Sequence, residues 1–235
     1  MRILAIDTSS LVASVAILDD DIMTAEYTVN FKKTHSQTLL PMIDEIMSMT
    51  GVDVDTLDAI AVSGGPGSFT GLRIGSATAK GMGLALDVPI VNVPTVDAMA
   101  YNFVGNNKLI CPIMDARRNQ VYTGVYTFVG EKFTIEKEQC AISIEELVEL
   151  LNSMEGEVLF TGDGIPVFKD YINENLKNLH YFSPAHLNRQ RAGAVGALGI
   201  IYFKEGKYTD SDEHMPDYLR VSQAERCLND KPSNE

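Results

Sequence analysis

Four short segments carry residue types capable of chemistry. Asp7-Thr8-Ser9-Ser10 lies between two β-rich runs. A tight turn there would offer backbone N–H groups and hydroxyls to an anion, beside a carboxylate able to hold Mg²⁺ through water. The same residue types also favour turns for purely local reasons. The second segment, Gly64-Gly65-Pro66-Gly67-Ser68-Phe69-Thr70-Gly71, falls between a strand pattern and a helix pattern, where N–H groups converge on phosphate or carboxylate. It is not a Walker A loop, because no Gly-Lys-Ser/Thr follows, and Thr70 stands where Gly-x-Gly-x-x-Gly needs its third glycine. Glycines that permit a crowded turn and close helix packing explain the stretch equally well. The third, Asp115-Ala116-Arg117-Arg118-Asn119-Gln120, joins two strands; adjacent arginines either grip phosphate bidentately or solvate a loop. The fourth, Thr161-Gly162-Asp163-Gly164, is a strand-to-helix glycine turn whose default is structural. His35, near a helix start, reads as a cap or surface contact rather than a base.

The elements that must position these segments follow from periodicity. Arg2–Asp7 and Leu11–Leu18 read as a hairpin, Ile22–Val29 as a third strand, and His35–Thr50 as a helix. Asp58–Ser63 and Val88–Val93 are strands flanking a small-residue helix that ends near Leu86, and another helix opens near Thr95. The pattern restarts around Gly105: Leu109–Met114 is a strand, Val121–Phe128 with Lys132–Lys137 a hairpin, Ile144–Leu151 a helix, Val158–Thr161 a strand and Ala192–Phe203 a long helix. This predicts an α/β protein with mixed sheets in two lobes, 1–105 and 106–209. A segment at about 210–228, containing Tyr218-Leu219-Arg220-Val221, is expected to return to the first lobe, and 229–235 to be disordered.

Two helical faces suggest a partner. Gly71, Gly75, Ala79 and Gly83 recur every fourth residue, a ridge that lets another backbone approach closely. Leu39, Met42, Ile46 and Met49 form a stripe offset from the Leu40–Ile43–Met47 face, and methionine adapts well to partner surfaces. Packing within the monomer is the plainer alternative for both.

Composition excludes several classes. With 19 Lys plus Arg against 32 Asp plus Glu, the net charge is −13, so the chain by itself is a poor binder of nucleic acid. Cys111, Cys140 and Cys227 are odd in number and widely spaced, as in reduced thiols of a cytoplasmic protein. No clustered Cys/His set marks a metal site. No apolar run is long enough to span a bilayer, and Met1–Asp7 reads as a strand rather than a leader.

Taken together, Leu4-Ala5-Ile6-Asp7-Thr8-Ser9, His35-Ser36-Gln37-Thr38-Leu39-Leu40-Pro41, Ser63–Gly75, Asp115–Tyr122 and Pro216–Val221 resemble the TsaB family, in order and spacing across the whole chain. The resemblance implies the actin/Hsp70/sugar-kinase (ASKHA) fold. It also implies a place in forming N6-threonylcarbamoyladenosine in ANN-decoding tRNAs. The catalytic sister of the family, TsaD, holds a metal through H-x-x-x-H, and a third protein, TsaE, supplies ATPase activity. Thr95 and Met99 fall at those two histidine positions, and neither is a plausible metal ligand. The expectation is therefore a scaffold and activator with no catalytic residue and no bound metal. Its expected partners are a TsaD-like sister, a TsaE-like ATPase and a second copy when alone. A vestigial anion or nucleotide site is expected at Asp7, Thr8, Ser9, Gly65, Gly67 and Ser68; no cofactor is required, and ATP or ADP is the ligand for the complex. The partner face is expected at Leu39, Met42, Ile46, Met49, Gly75, Ala79 and Gly83. An independent ATP-dependent phosphotransferase is the competing reading, weakened by the lack of a base for an acceptor hydroxyl. A metallopeptidase is opposed by the missing histidines.

Overall fold

The computed structural model describes residues 1–31, 34–130 and 132–219. The first sheet is built from β1 (Arg2–Asp7), β2 (Ala13–Asp19), β3 (Ile22–Val29), β4 (Ala59–Gly65) and β5 (Ile90–Pro94), in the order β3-β2-β1-β4-β5. β1 pairs antiparallel with β2 and parallel with β4, which in turn pairs parallel with β5. The parallel steps run through α1 (His35–Thr50) and α2 (Phe69–Leu86). β1 reads as an unbroken apolar run because both its faces are covered. Leu4 and Ile6 point to the side covered by α1 and α2, whereas Ile3 and Ala5 point the other way.

The second sheet repeats this plan. β6 (Leu109–Asp115), β7 (Gln120–Val129), β8 (Lys132–Ser143), β9 (Val158–Thr161) and β10 (His180–Phe182) lie in the order β8-β7-β6-β9-β10. One face is covered by α4 (Ile144–Asn152) and α5 (Ile165–Asn175). α4 starts with a capping box, in which Ser143 Oγ accepts from Glu146 N and Glu146 Oε2 accepts from Ser143 N. The other face meets α3 (Thr95–Tyr101), a short helix buried between the two sheets. Two mixed sheets with the same strand order make a two-lobed α/β fold, as expected.

Three features differ from expectation. The last helix, α6 (Ala192–Lys204), was assigned with 106–209 to the second lobe, but it packs on the first sheet against Ile3, Ala5, Leu18, Val91 and Val93. Small residues allow this: a methyl group at Gly196 would overlap Leu18, and one at Gly199 would press on Ala61. Ser14 Oγ accepts a hydrogen bond from Ala192 N at 2.9 Å, and Arg191 pairs with Glu26. α5 and β10 are additions to the reading. α5 opens with Pro166 near its start and turns Ile165, Phe168 and Ile172 inward at helical spacing. β8 also runs six residues past the expected Lys137.

The third difference is the small-residue ridge. Gly75, Ala79 and Gly83 face inward rather than toward a partner: a methyl at Gly75 would overlap Thr8 Oγ1, one at Gly83 would overlap Ser211 Oγ, and Ala79 is wholly buried. Leu39 and Ile46 belong to the same core, with half-buried Met42 packed on it. Of the seven expected contact residues, Met49 alone is well exposed, at 70%; Leu40 of α1 and Leu84 of α2 are exposed as well.

The returning tail follows the first lobe through Leu219. Thr209 and Ile90 exchange backbone hydrogen bonds, Ser211 Oγ donates to Val88 O at 2.6 Å, and Lys80 Nζ donates to the carbonyls of Asp212 and His214. Arg220, Val221, Cys227 and 229–235 lie outside the described residues.

Candidate functional site

The ends of β1, β4, β6 and β9 converge on a cavity of about 620 Å³ between the lobes. Ser9, Gly67 and Ser68 line it from the first lobe, and Asp115, Arg117 and Asp163 from the second. Asp7, Thr8 and Gly65 lie behind this surface rather than on it.

The hairpin and the glycine loop are joined directly. Ser68 N donates to Ser9 O at 2.6 Å, and Thr8 Oγ1 donates to Gly71 O at 2.8 Å. A methyl group at Gly67 would overlap Ser9 O, and one at Gly71 would overlap Thr8 O, so these glycines are contact points between two backbones. Gly65 adopts φ +122°, open to glycine, with the Asp217 carbonyl against it. Asp7 accepts from Ser9 N at 2.9 Å and Ser9 Oγ at 2.7 Å, while its burial raises the carboxyl pKa. The donors that a polyphosphate would need from Thr8, Ser9 and Ser68 N are thus engaged within the protein. Asp115, Asp163 and Asp217 also line the cavity, against Arg117 and His35. Among the described residues no group of three or more His, Cys, Asp or Glu is placed to hold a metal ion.

Other residues were less visible in the sequence. His35, at the start of α1, bonds through Nε2 to Ser10 O at 2.7 Å and faces the cavity. Asp163 is largely buried, which raises its pKa, and its Oδ1 has no hydrogen-bond partner among the described residues. Thr95 and Met99 are both buried in α3, away from the cavity lining, and Met99 abuts the Gly162 turn. Between them Asp97 joins three elements: Oδ1 accepts from Tyr126 of β7 at 2.6 Å and Oδ2 from Tyr202 of α6 at 3.2 Å. Burial pushes its pKa up to about 6, although both phenols oppose the shift.

The tail closes one wall. Asp217 N donates to Gly64 O at 2.7 Å, and Gln139 of β8 donates to Asp217 Oδ2 at 3.3 Å. The Tyr218 ring lies 4.8 Å from Phe69, whose other neighbour is the Arg73 guanidinium, 4.1 Å from the ring centre. An aromatic pair contributes about 0.5–1.5 kcal/mol. Tyr218→Ala is therefore expected to speed hydrogen exchange at the Asp217 amide by about 2- to 10-fold. Unchanged exchange would show that main-chain bonds and Lys80 hold this segment without the ring.

Paired hairpins facing one cleft, with α3 clamped between the sheets, make a two-lobed α/β protein whose candidate site lies between the lobes. A family model described as "TsaD: tRNA N6-adenosine threonylcarbamoyltransferase" matches residues 26–227. The "tRNA threonylcarbamoyladenosine biosynthesis protein TsaB" of Bacillus subtilis (strain 168) is 34% identical over 225 residues, 96% of either chain. Its namesake from Escherichia coli (strain K12) is 31% identical over 234 residues, covering 97% of this chain and 98% of that protein. The chain belongs to the TsaB family. The solved structure "YeaZ from Pseudomonas aeruginosa" has the same fold, with TM-score 0.77 at 24% identity over 93% of this chain and 99% of that one.

Proposed function

We propose that the chain is a non-catalytic subunit in the formation of N6-threonylcarbamoyladenosine in ANN-decoding tRNAs, binding and activating a TsaD-like catalytic subunit. The observation that carries this reading is the state of α3. Thr95 and Met99, at the positions where the resemblance places the sister's metal-binding histidines, are buried side chains of the wrong chemistry for a divalent ion. The cleft supports the same reading, since its hairpin and glycine loop bond to each other. ATP or ADP belongs to the assembled complex, and no nucleotide is needed for the role proposed.

The docking contact lies on α1 and α2, whose exposed large apolar residues are Leu40, Met49 and Leu84. Exposed large apolar side chains on two adjacent helices suit a partner with a related helix pair. A second copy fills this face when the sister is absent, and a TsaE-like ATPase completes the assembly. With a net charge of −13, the chain by itself holds tRNA weakly.

The test is reconstitution. The purified chain, assayed with threonylcarbamoyl donor, tRNA and added Zn²⁺ or Fe²⁺, is expected to transfer nothing; turnover should appear on adding the TsaD-like and TsaE-like subunits and should depend on this chain. Metal-dependent turnover by the isolated chain, free of partner, would overturn the proposal.

A further inference from the structure

The two sheets share one plan, but the hairpin turns facing the cleft differ in chemistry. The β1–β2 turn carries Thr8, Ser9 and Ser10, whereas the β6–β7 turn carries Arg117, Arg118 and Asn119. All three of the latter are left-handed, with φ of 65°, 54° and 60°. Side chains rarely adopt this conformation, and a run of three non-glycine residues there is strain that glycine would relieve.

The turn is nevertheless firmly mounted. Asp115 accepts from Arg117 N at 2.8 Å and from Arg117 Nη1 at 2.9 Å. Ala116 N donates to Gln120 O at 3.0 Å, and Asn119 O accepts from Ile144 N at 3.1 Å. Asn119 Nδ2 donates to Glu145. This frame presents two adjacent guanidinium groups to solvent at the cleft mouth: the Arg117 side chain is 86% exposed, and exposed Arg118 makes no hydrogen bond or ion pair among the described residues. In a chain with 32 acidic residues, an unpaired arginine beside a second exposed one is a charge left for an outside anion. The planar fork of guanidinium matches phosphate bidentately, and a turn fixed at both ends sets where the two side chains leave the surface.

We propose that Arg117 and Arg118 contact backbone phosphates of the tRNA once the catalytic subunit has docked, an inference that rests on the functional reading above. The net negative charge keeps RNA away from the free chain, so the contact forms only when the partner brings the RNA to this turn.

The test is tRNA binding to the reconstituted complex at several salt concentrations. Both side chains are exposed, so Arg117→Ala/Arg118→Ala should fold and melt like the wild type. The double variant is expected to weaken tRNA binding by about tenfold and to lower the slope of log K against log salt by about 1 to 2. Arg118→Lys, which keeps the charge, should retain most of the slope. Unchanged affinity and slope in a complex that still modifies tRNA would overturn the proposal. Loss of complex assembly would do so too, by turning the arginines toward an acidic protein surface. A wild-type complex that binds tRNA without modifying it would count against the functional reading alone, and the slope comparison would still decide the role of the turn.

Discussion

Ala79→Leu is expected to lower the melting temperature while leaving affinity for the TsaD-like subunit unchanged among the molecules still folded. Ala79 is wholly buried in the core shared by α1, α2 and the first sheet, beside Ile60, Val62 and Ile90. Inserting three heavy atoms into such a core costs about 1–3 kcal/mol. For a chain of this length each kcal/mol corresponds to about 2–4 °C. Titration of the folded variant against the partner, with melting measured in parallel, separates core from interface. A fall in affinity beyond that explained by unfolding would return the ridge to the subunit contact.

The second large effect is on the pH dependence of stability. Asp97 is raised to about 6 by burial, above the ordinary 3.8. A proton is therefore held more tightly in the folded state, and between about pH 4 and pH 6 the folded chain binds more protons than the unfolded one. The stabilisation that Asp97 contributes is present at low pH and is lost as pH rises through this window. Its size is about 3 kcal/mol for a shift of this order. The groups around it are Tyr126 and Tyr202, which donate to it, with Glu138 opposing and Lys207 favouring its charge. Asp7 and Asp163 are also raised by burial, so wild-type melting alone mixes several carboxyls. Asp97→Asn isolates one of them: denaturant unfolding from pH 4 to pH 6 should fall less steeply in the variant. Parallel curves for the two proteins would remove Asp97 from this role.

Local signals in the sequence reached far into the fold and stopped where long-range contacts decide. The strand Leu4-Ala5-Ile6, the turn at Asp7–Ser10 and the strand–glycine–helix passage at 59–71 all announce themselves within a few residues, because turn chemistry and periodicity are local. The direction of the α2 ridge does not. Glycine every fourth residue says that something approaches closely, and only the position of Thr8 and Ser211 shows that the approaching atoms are the chain's own. The clamp at Asp97 was illegible for the same reason. One acid in the apolar helix Val96–Ala100 is visible, but its tyrosines lie 29 and 105 residues away. The cleft was half legible: its glycine and hydroxyl segments were marked and the return of the tail was expected, whereas the bonds of Asp217 to Gly64 and Gln139 depend on contacts that no short motif encodes.

The placement of α6 has a consequence for how the chain is made. Synthesis proceeds from the N-terminus, so β1 through β5 are complete long before Ala192–Lys204 leaves the ribosome. Until then Ile3, Ala5, Leu18, Val91 and Val93 lack the cover that α6 gives that face, and only α3 lies against it. The hydrogen bond that ties the start of α6 to the sheet, Ala192 N to Ser14 Oγ, spans 178 residues. A nascent first lobe is thus a one-faced sheet with a bare apolar side, exposed to misassociation while translation continues. The two lobes resemble each other in plan, yet neither is finished until nearly the whole chain has emerged.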